Sequence, residues 1–170
     1  MAKRISLREF QESLVRRLAD AESAPRRDLL GMTAGGDQWL VDLADAGEIL
    51  PVPPLATVPL TRPWFRGLTN VRGTLFGVVD LSAFCGGALT SLAGSARLVL
   101  VGARHGANCA LLVSSTVGLR SPEDFEADNG RAPSHAWVPR QVRDLHGRRW
   151  QHIDVPRLLA DTDFLEASAV

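Results

Sequence analysis

The sequence has little of what most function classes require. It carries no net charge: 19 Lys and Arg balance 19 Asp and Glu over 170 residues, so no global field draws the chain to nucleic acid or an anionic membrane. Lysine itself is nearly missing, with Lys3 alone, and the remaining positive charge is arginine, whose planar fork suits bidentate pairing across interfaces. The two cysteines, Cys85 and Cys109, form no CxxC pair and are too few for a disulfide framework. His105 and Cys109 face each other across an expected turn with no second ligand pair nearby, so no metal is expected. No P-loop, GxGxxG, GxSxG or HExxH occurs. Asp42, Asp45 and Glu48 lie close in sequence, but a solvated strand end explains them as well as a general-acid pair does. The 4 tryptophans and 6 phenylalanines do not interleave with basic residues, which leaves a base-stacking platform unsupported. No apolar run is long enough for a signal-peptide core or a bilayer span. These absences point to a cytoplasmic binding protein with no catalytic residue and no cofactor.

What is present is hydrophobic patterning that changes along the chain. Ile5, Leu7, Phe10, Leu14, Val15 and Leu18 recur at roughly helical spacing, and Pro25 ends that segment, so residues 1–27 read as a helical extension. It is expected to lie on the protein's own barrel rather than on a partner. Residues 28–170 then read as strands and turns. Leu29 to Ala34 and Gln38 to Leu43 flank Gly35-Gly36, a pair suited to a two-residue hairpin loop. Arg97 to Ala103 returns through Cys109 to Val113 after His105-Gly106, and Val142 to Leu145 returns through Arg148 to Ile153 after His146-Gly147. Three such hairpins predict small antiparallel barrels rather than a doubly wound sheet.

Pro51, Pro53, Pro54, Pro59 and Pro63 mark a rigid, exposed crossover. Leu75 to Leu81 reads as an apolar strand, and Ser82 to Cys85 as a helical turn stopped by Gly86-Gly87. Ala88 to Gly94 is a connector of small residues. Ser121 to Ser134 is acidic and poor in apolar residues, which predicts a mobile surface loop. Val155 to Ala169 closes the chain as a final helix.

The run Pro63-Trp64-Phe65-Arg66-Gly67-Leu68-Thr69-Asn70-Val71-Arg72-Gly73, followed by Val78-Val79-Asp80-Leu81, closely resembles the signature of the CheW-like adaptor family. Val58-Pro59 and Glu48-Ile49 fit the same pattern ahead of it. The N-terminal extension and the run from His146 to Asp154 resemble the PilI-like branch, from type IV pilus twitching systems. The resemblance implies a mainly β fold: two SH3-like five-stranded barrels with N-terminal and C-terminal helices and a hydrophobic seam between them. It implies a non-catalytic adaptor that couples methyl-accepting chemoreceptors, through their signalling tip, to the regulatory domain of a CheA-type histidine kinase. Such a protein would be recruited to membrane receptor arrays without inserting into the membrane. A flagellar coupling protein, or a barrel module with another peptide partner, stays open. The chain departs from the pattern at Gly77, where proline is common, at Ser114-Ser115, where Val-Asp is common, and near Pro139, where glycine is common.

Seven residues are expected at a partner surface: Arg72, Glu48, Asn70, Val71, Trp64, Phe65 and Arg66. Gly67 and Gly73 are expected to serve turns. Arg72 has two readings of equal weight, a guanidinium reaching a receptor or one tied to Glu48 or Asp80 of its own barrel. Trp64 and Phe65 are interface anchors if exposed and seam residues if buried. Trp39, Trp137 and Trp150 sit on expected strands and read as core.

Overall fold

A computed structural model describes residues 28–130 and 132–169. The expected N-terminal helix lies outside the described residues. Among the described residues eleven strands form two sheets. β1 (Leu29–Ala34) and β2 (Asp37–Asp42) open the first sheet; β3 (Ala46–Pro51), β4 (Phe65–Val71), β5 (Thr74–Asp80), β6 (Arg97–Val101) and β7 (Cys109–Val113) make the second; β8 (Ser115–Arg120), β9 (Phe125–Ala127), β10 (Arg140–Asp144) and β11 (Arg149–Ile153) return to the first. The strand orders are β8-β1-β2-β11-β10-β9 and β3-β6-β7-β5-β4. Short helices follow two of the strands: α1 (Leu81–Phe84) comes after β5, and α2 (Val155–Leu159) and α3 (Thr162–Leu165) come in succession after β11. Among the described residues no helix is long and apolar enough to cross a membrane.

The strand sequences explain where the core sits. β6 and β7 read Arg-Leu-Val-Leu-Val and Cys-Ala-Leu-Leu-Val, nearly continuous apolar runs of the kind that bury both faces. Their alternate residues enter different clusters. Val99, Val101, Leu111 and Val113 join Leu30, Met32, Trp39 and Val41 of the first sheet in a seam between the sheets. Leu98, Leu100, Ala110 and Leu112, with Val78, fill the second sheet's own interior. Leu29, Leu40 and Trp150 do the same for the first. The seam is the largest cluster, and it includes Trp137, Val138, Ile153, Leu158 and Phe164.

All three expected hairpins are present. Gly35 and Gly36 both have positive φ, 62° and 85°, as a type I′ turn requires. At the β10–β11 turn, Asp144 Oδ1 accepts the N–H groups of His146 and Arg148, each at 2.9 Å.

Three readings are corrected. The segment from Ser121 to Ser134 is not a bare loop: a 3₁₀ turn, Pro122–Asp124, leads into β9, so the first sheet has six strands rather than five. Composition hid this because much of its anchoring is ionic. Asp128, nearly buried, meets Arg143 Nε at 3.2 Å and Arg149 Nε at 2.9 Å. The final helix is two helices, each with its own N-cap: Asp154 accepts the Arg157 N–H at 3.0 Å and Asp161 the Phe164 N–H at 3.1 Å. Trp137 is buried as expected but sits in a turn, stacked on Trp39 at 5.8 Å.

Two carboxyls in the first sheet are held below the usual range. Burial alone would raise Asp128, but the Gly130 N–H, the Arg143 bond and the charges of Arg143 and Arg149 outweigh it. Burial likewise acts against Asp144, and the Trp150 indole N–H, two backbone N–H groups and Arg148 reverse its effect.

Candidate functional site

β4 and β5 form a long hairpin at the edge of the second sheet, with Val71 paired to Thr74 and only Arg72-Gly73 between them. Both turn residues have positive φ, 52° at Arg72 and 88° at Gly73. This is again a type I′ geometry, which glycine adopts freely and arginine only at a cost of about 1–2 kcal/mol. Asn70 offsets part of that cost by accepting the Gly73 N–H on Oδ1 at 2.8 Å. The turn therefore projects Arg72 outward on a short, well-defined stalk.

Arg72 reaches Glu48 on β3, with Nη2 donating to Oε1 at 2.8 Å. β3 and β4 are the two ends of this sheet, so the ion pair clips together edges that share no ladder. Chain from the proline-rich crossover fills the remaining gap: Ala56 and Leu68 exchange backbone bonds at 2.8 Å, and Thr69 Oγ1 donates to Pro54 O at 3.1 Å. Glu48 lies within the register shift between Ala46 and Ile49, a bulge that turns an edge strand from further pairing. The side chains of Arg72 and Glu48 are 79% and 40% exposed, so the pair contributes about 0–1 kcal/mol. Most of the guanidinium stays available to another molecule. Ile49 and Leu75, missed by the sequence reading, add exposed apolar surface from β3 and β5 beside the tip.

Of the other expected surface residues, Arg66, Trp64 and Phe65 lie away from the tip. Arg66 falls at the register shift between Phe65 and Gly67, and its side chain turns inward. Its Nη1 donates to Asp80 Oδ2 at 2.8 Å and to Thr90 O at 3.0 Å. Asp80 is fully buried and also accepts the Thr90 N–H at 2.7 Å, the Thr90 hydroxyl at 2.8 Å and the Ala83 N–H at 3.3 Å. That network ties β4, β5, α1 and the small-residue connector together. Trp64 and Phe65 are half-buried against the seam, Trp64 meeting Phe84 edge-on at 5.1 Å. Val71 packs on the second sheet's interior from a half-buried position, and Asn70 is exposed at the tip.

The glycines separate by cause. A Cβ on Gly67 would lie 2.2 Å from Ala56 O, and φ there is 117°, so both space and conformation demand glycine. A Cβ on Gly73 would meet nothing within 4 Å, which leaves its positive φ as the sole requirement. At Gly77 a Cβ would lie 3.2 Å from the Phe65 ring, and its N–H donates to Asn108 O at 2.9 Å. Proline at that position would remove this donor.

Two polar features escaped the sequence reading. Thr90 looked like part of a bland connector, yet it supplies two of the Asp80 bonds. His105 was placed in a turn, and its Nε2 also lies 2.7 Å from Asp45 Oδ1, with Arg104 on the same carboxylate oxygen. This joins the β2–β3 turn to the β6–β7 connection. Both thiols are half-buried; burial, aided by the Asp37 charge, pushes Cys85 up to about 12, and burial pushes Cys109 up to about 11.

The profile of the CheW-like domain matches residues 28–163. Protein PilI of Pseudomonas aeruginosa is 32% identical over 72 residues, 42% of this chain and 40% of that protein, so the matched stretch spans under half of either. The crystal structure of scaffolding protein TtCheW from Thermoanaerobacter tengcongensis aligns with a TM-score of 0.64 over 75% of this chain and 88% of that one. At 17% identity this is a likeness of fold. The profile match takes in both sheets and the hairpin tip, and on that extent the chain belongs to the CheW-like domain family.

Proposed function

We propose that this protein is a non-catalytic adaptor that couples the signalling tip of a methyl-accepting chemoreceptor to the regulatory domain of a CheA-type histidine kinase. We assign it to the type IV pilus branch, on the sequence likeness to PilI. One observation carries the reading. The hairpin tip presents an arginine, 79% exposed, on a turn held in an unfavourable conformation for that residue, beside exposed Ile49 and Leu75. Backbone strain kept at an exposed charged residue fits a recognition role, since a weak surface ion pair alone gives it little return. An apolar rim around a cation suits the end of a helical hairpin, where carboxylates and unpaired carbonyls converge.

The test is capture of a receptor signalling fragment by immobilised protein. Arg72→Glu should abolish capture and leave the far-UV circular dichroism spectrum unchanged. Normal capture by this variant would remove Arg72 from the receptor surface. The kinase regulatory domain should bind at about micromolar concentration or tighter, the range of transient complexes. Failure to bind any such kinase from the same genome would refute the adaptor reading.

A further inference from the structure

The first sheet's interior is packed at one end and open at the other. At the packed end Trp150 fills the space, sitting against Phe125 at 5.6 Å. Gly31 makes room for it, since a Cβ there would lie 3.1 Å from the indole ring. At the open end is a cavity of about 450 Å³, within the usual range for small-molecule sites, and barrel mouths are a frequent place for them. Its apolar walls come from Leu29, Leu40, Phe125 and Val142.

The polar groups at this mouth leave one charge unmatched. Asp128 lines the cavity, but Arg143 and Arg149 already neutralise it. His152 is buried, with Nε2 at 3.1 Å from Asp42 Oδ1 and Nδ1 at 3.4 Å from Arg140 Nη2. The Nε2–H tautomer satisfies both contacts, donating to Asp42 and accepting from Arg140. Arg140 is exposed and, among the described residues, forms no ion pair with a carboxylate. Its remaining donors sit at the rim of an apolar cavity.

We infer that this cavity binds a small monocarboxylate with an apolar body, the body against Leu40, Phe125 and Val142 and the carboxylate on Arg140. The site lies in the other sheet from Arg72 and Glu48, so it stands independently of the adaptor reading. Octanoate serves as the probe and 1-octanol as its uncharged counterpart, each titrated calorimetrically into the full chain. Octanoate should bind at a single site. Arg140→Gln should weaken it by about 10- to 100-fold, the usual effect of losing a charge-assisted bond, and leave 1-octanol unaffected. Ala127→Trp should block both ligands by filling the mouth from an exposed position, where folding is spared. The inference is overturned if octanoate does not bind, if Ala127→Trp leaves binding intact, or if Arg140→Gln weakens both ligands equally.

Discussion

Replacing Arg66 with methionine isolates the buried network, because it removes the guanidinium and keeps much of the aliphatic stem. Asp80 is fully buried, and Arg66 is the cation it pairs with, at 2.8 Å. Removing one partner of a buried pair costs about 3–5 kcal/mol. Asp80 would keep three donors, from Thr90 and Ala83, and the Arg66 side chain is 18% exposed. Those two facts lower the expected loss to about 2–4 kcal/mol. At about 2–4 °C per kcal/mol for a chain of this size, the melting temperature should fall by roughly 4–16 °C. Thermal unfolding followed by circular dichroism and tryptophan fluorescence measures it. Arg72→Met is the control: its exposed pair with Glu48 predicts a change of about 0–1 kcal/mol. A fall under about 2 °C for Arg66→Met would refute the claim that Arg66 acts from within.

The other expectations are these. Gly67→Ala should cost about 3 kcal/mol or more in urea unfolding, from steric overlap and positive φ together, against about 1–2 for Gly73→Ala; equal losses would mean the Ala56 contact yields easily. At pH 8 a thiol with a pKa of about 11 is thiolate to roughly one part in a thousand. Iodoacetamide should therefore label Cys85 and Cys109 about 100-fold or more slowly in native than in urea-unfolded protein, and comparable rates would contradict their burial. Asp128 and Asp144 have lowered folded values, so their contribution is present above the ordinary carboxyl range near 4 and is lost as pH falls through the folded value. Replacing both with asparagine should flatten the acid loss of stability below about pH 4, measured by tryptophan fluorescence.

Local chemistry was legible in the sequence wherever it acts between near neighbours. Gly35-Gly36, His105-Gly106 and His146-Gly147 marked their turns, and the run from Leu75 to Leu81 marked β5 and the start of α1. What stayed hidden was decided by long-range pairing. β9 pairs with β10, packs Phe125 on Trp150 and is flanked by Asp128 on Arg143 and Arg149, and nothing near Phe125 in sequence announces those partners. Arg66 and Arg72 look alike in sequence, yet the register shift after Phe65 sends one inward while the turn sends the other out. The alternative that tied Arg72 to Glu48 is present in the structure, and exposure leaves that arginine available as well. The split of the last helix could have been read from Asp154 and Asp161, each standing three residues before the N–H it caps.

The chain order of the sheets also sets a timetable. β1 and β2 emerge early, but β2 finds its parallel partner β11 only after the whole second sheet has been made; Asp42 and His152 stand 110 positions apart. At about 5–20 residues per second, synthesis leaves roughly 5–20 seconds between them. During that interval Trp39, Leu40 and Val41 must wait for the neighbours that will cover them. The ribosome-bound intermediate is thus a completed second barrel trailing an unfinished first one, with an open strand edge.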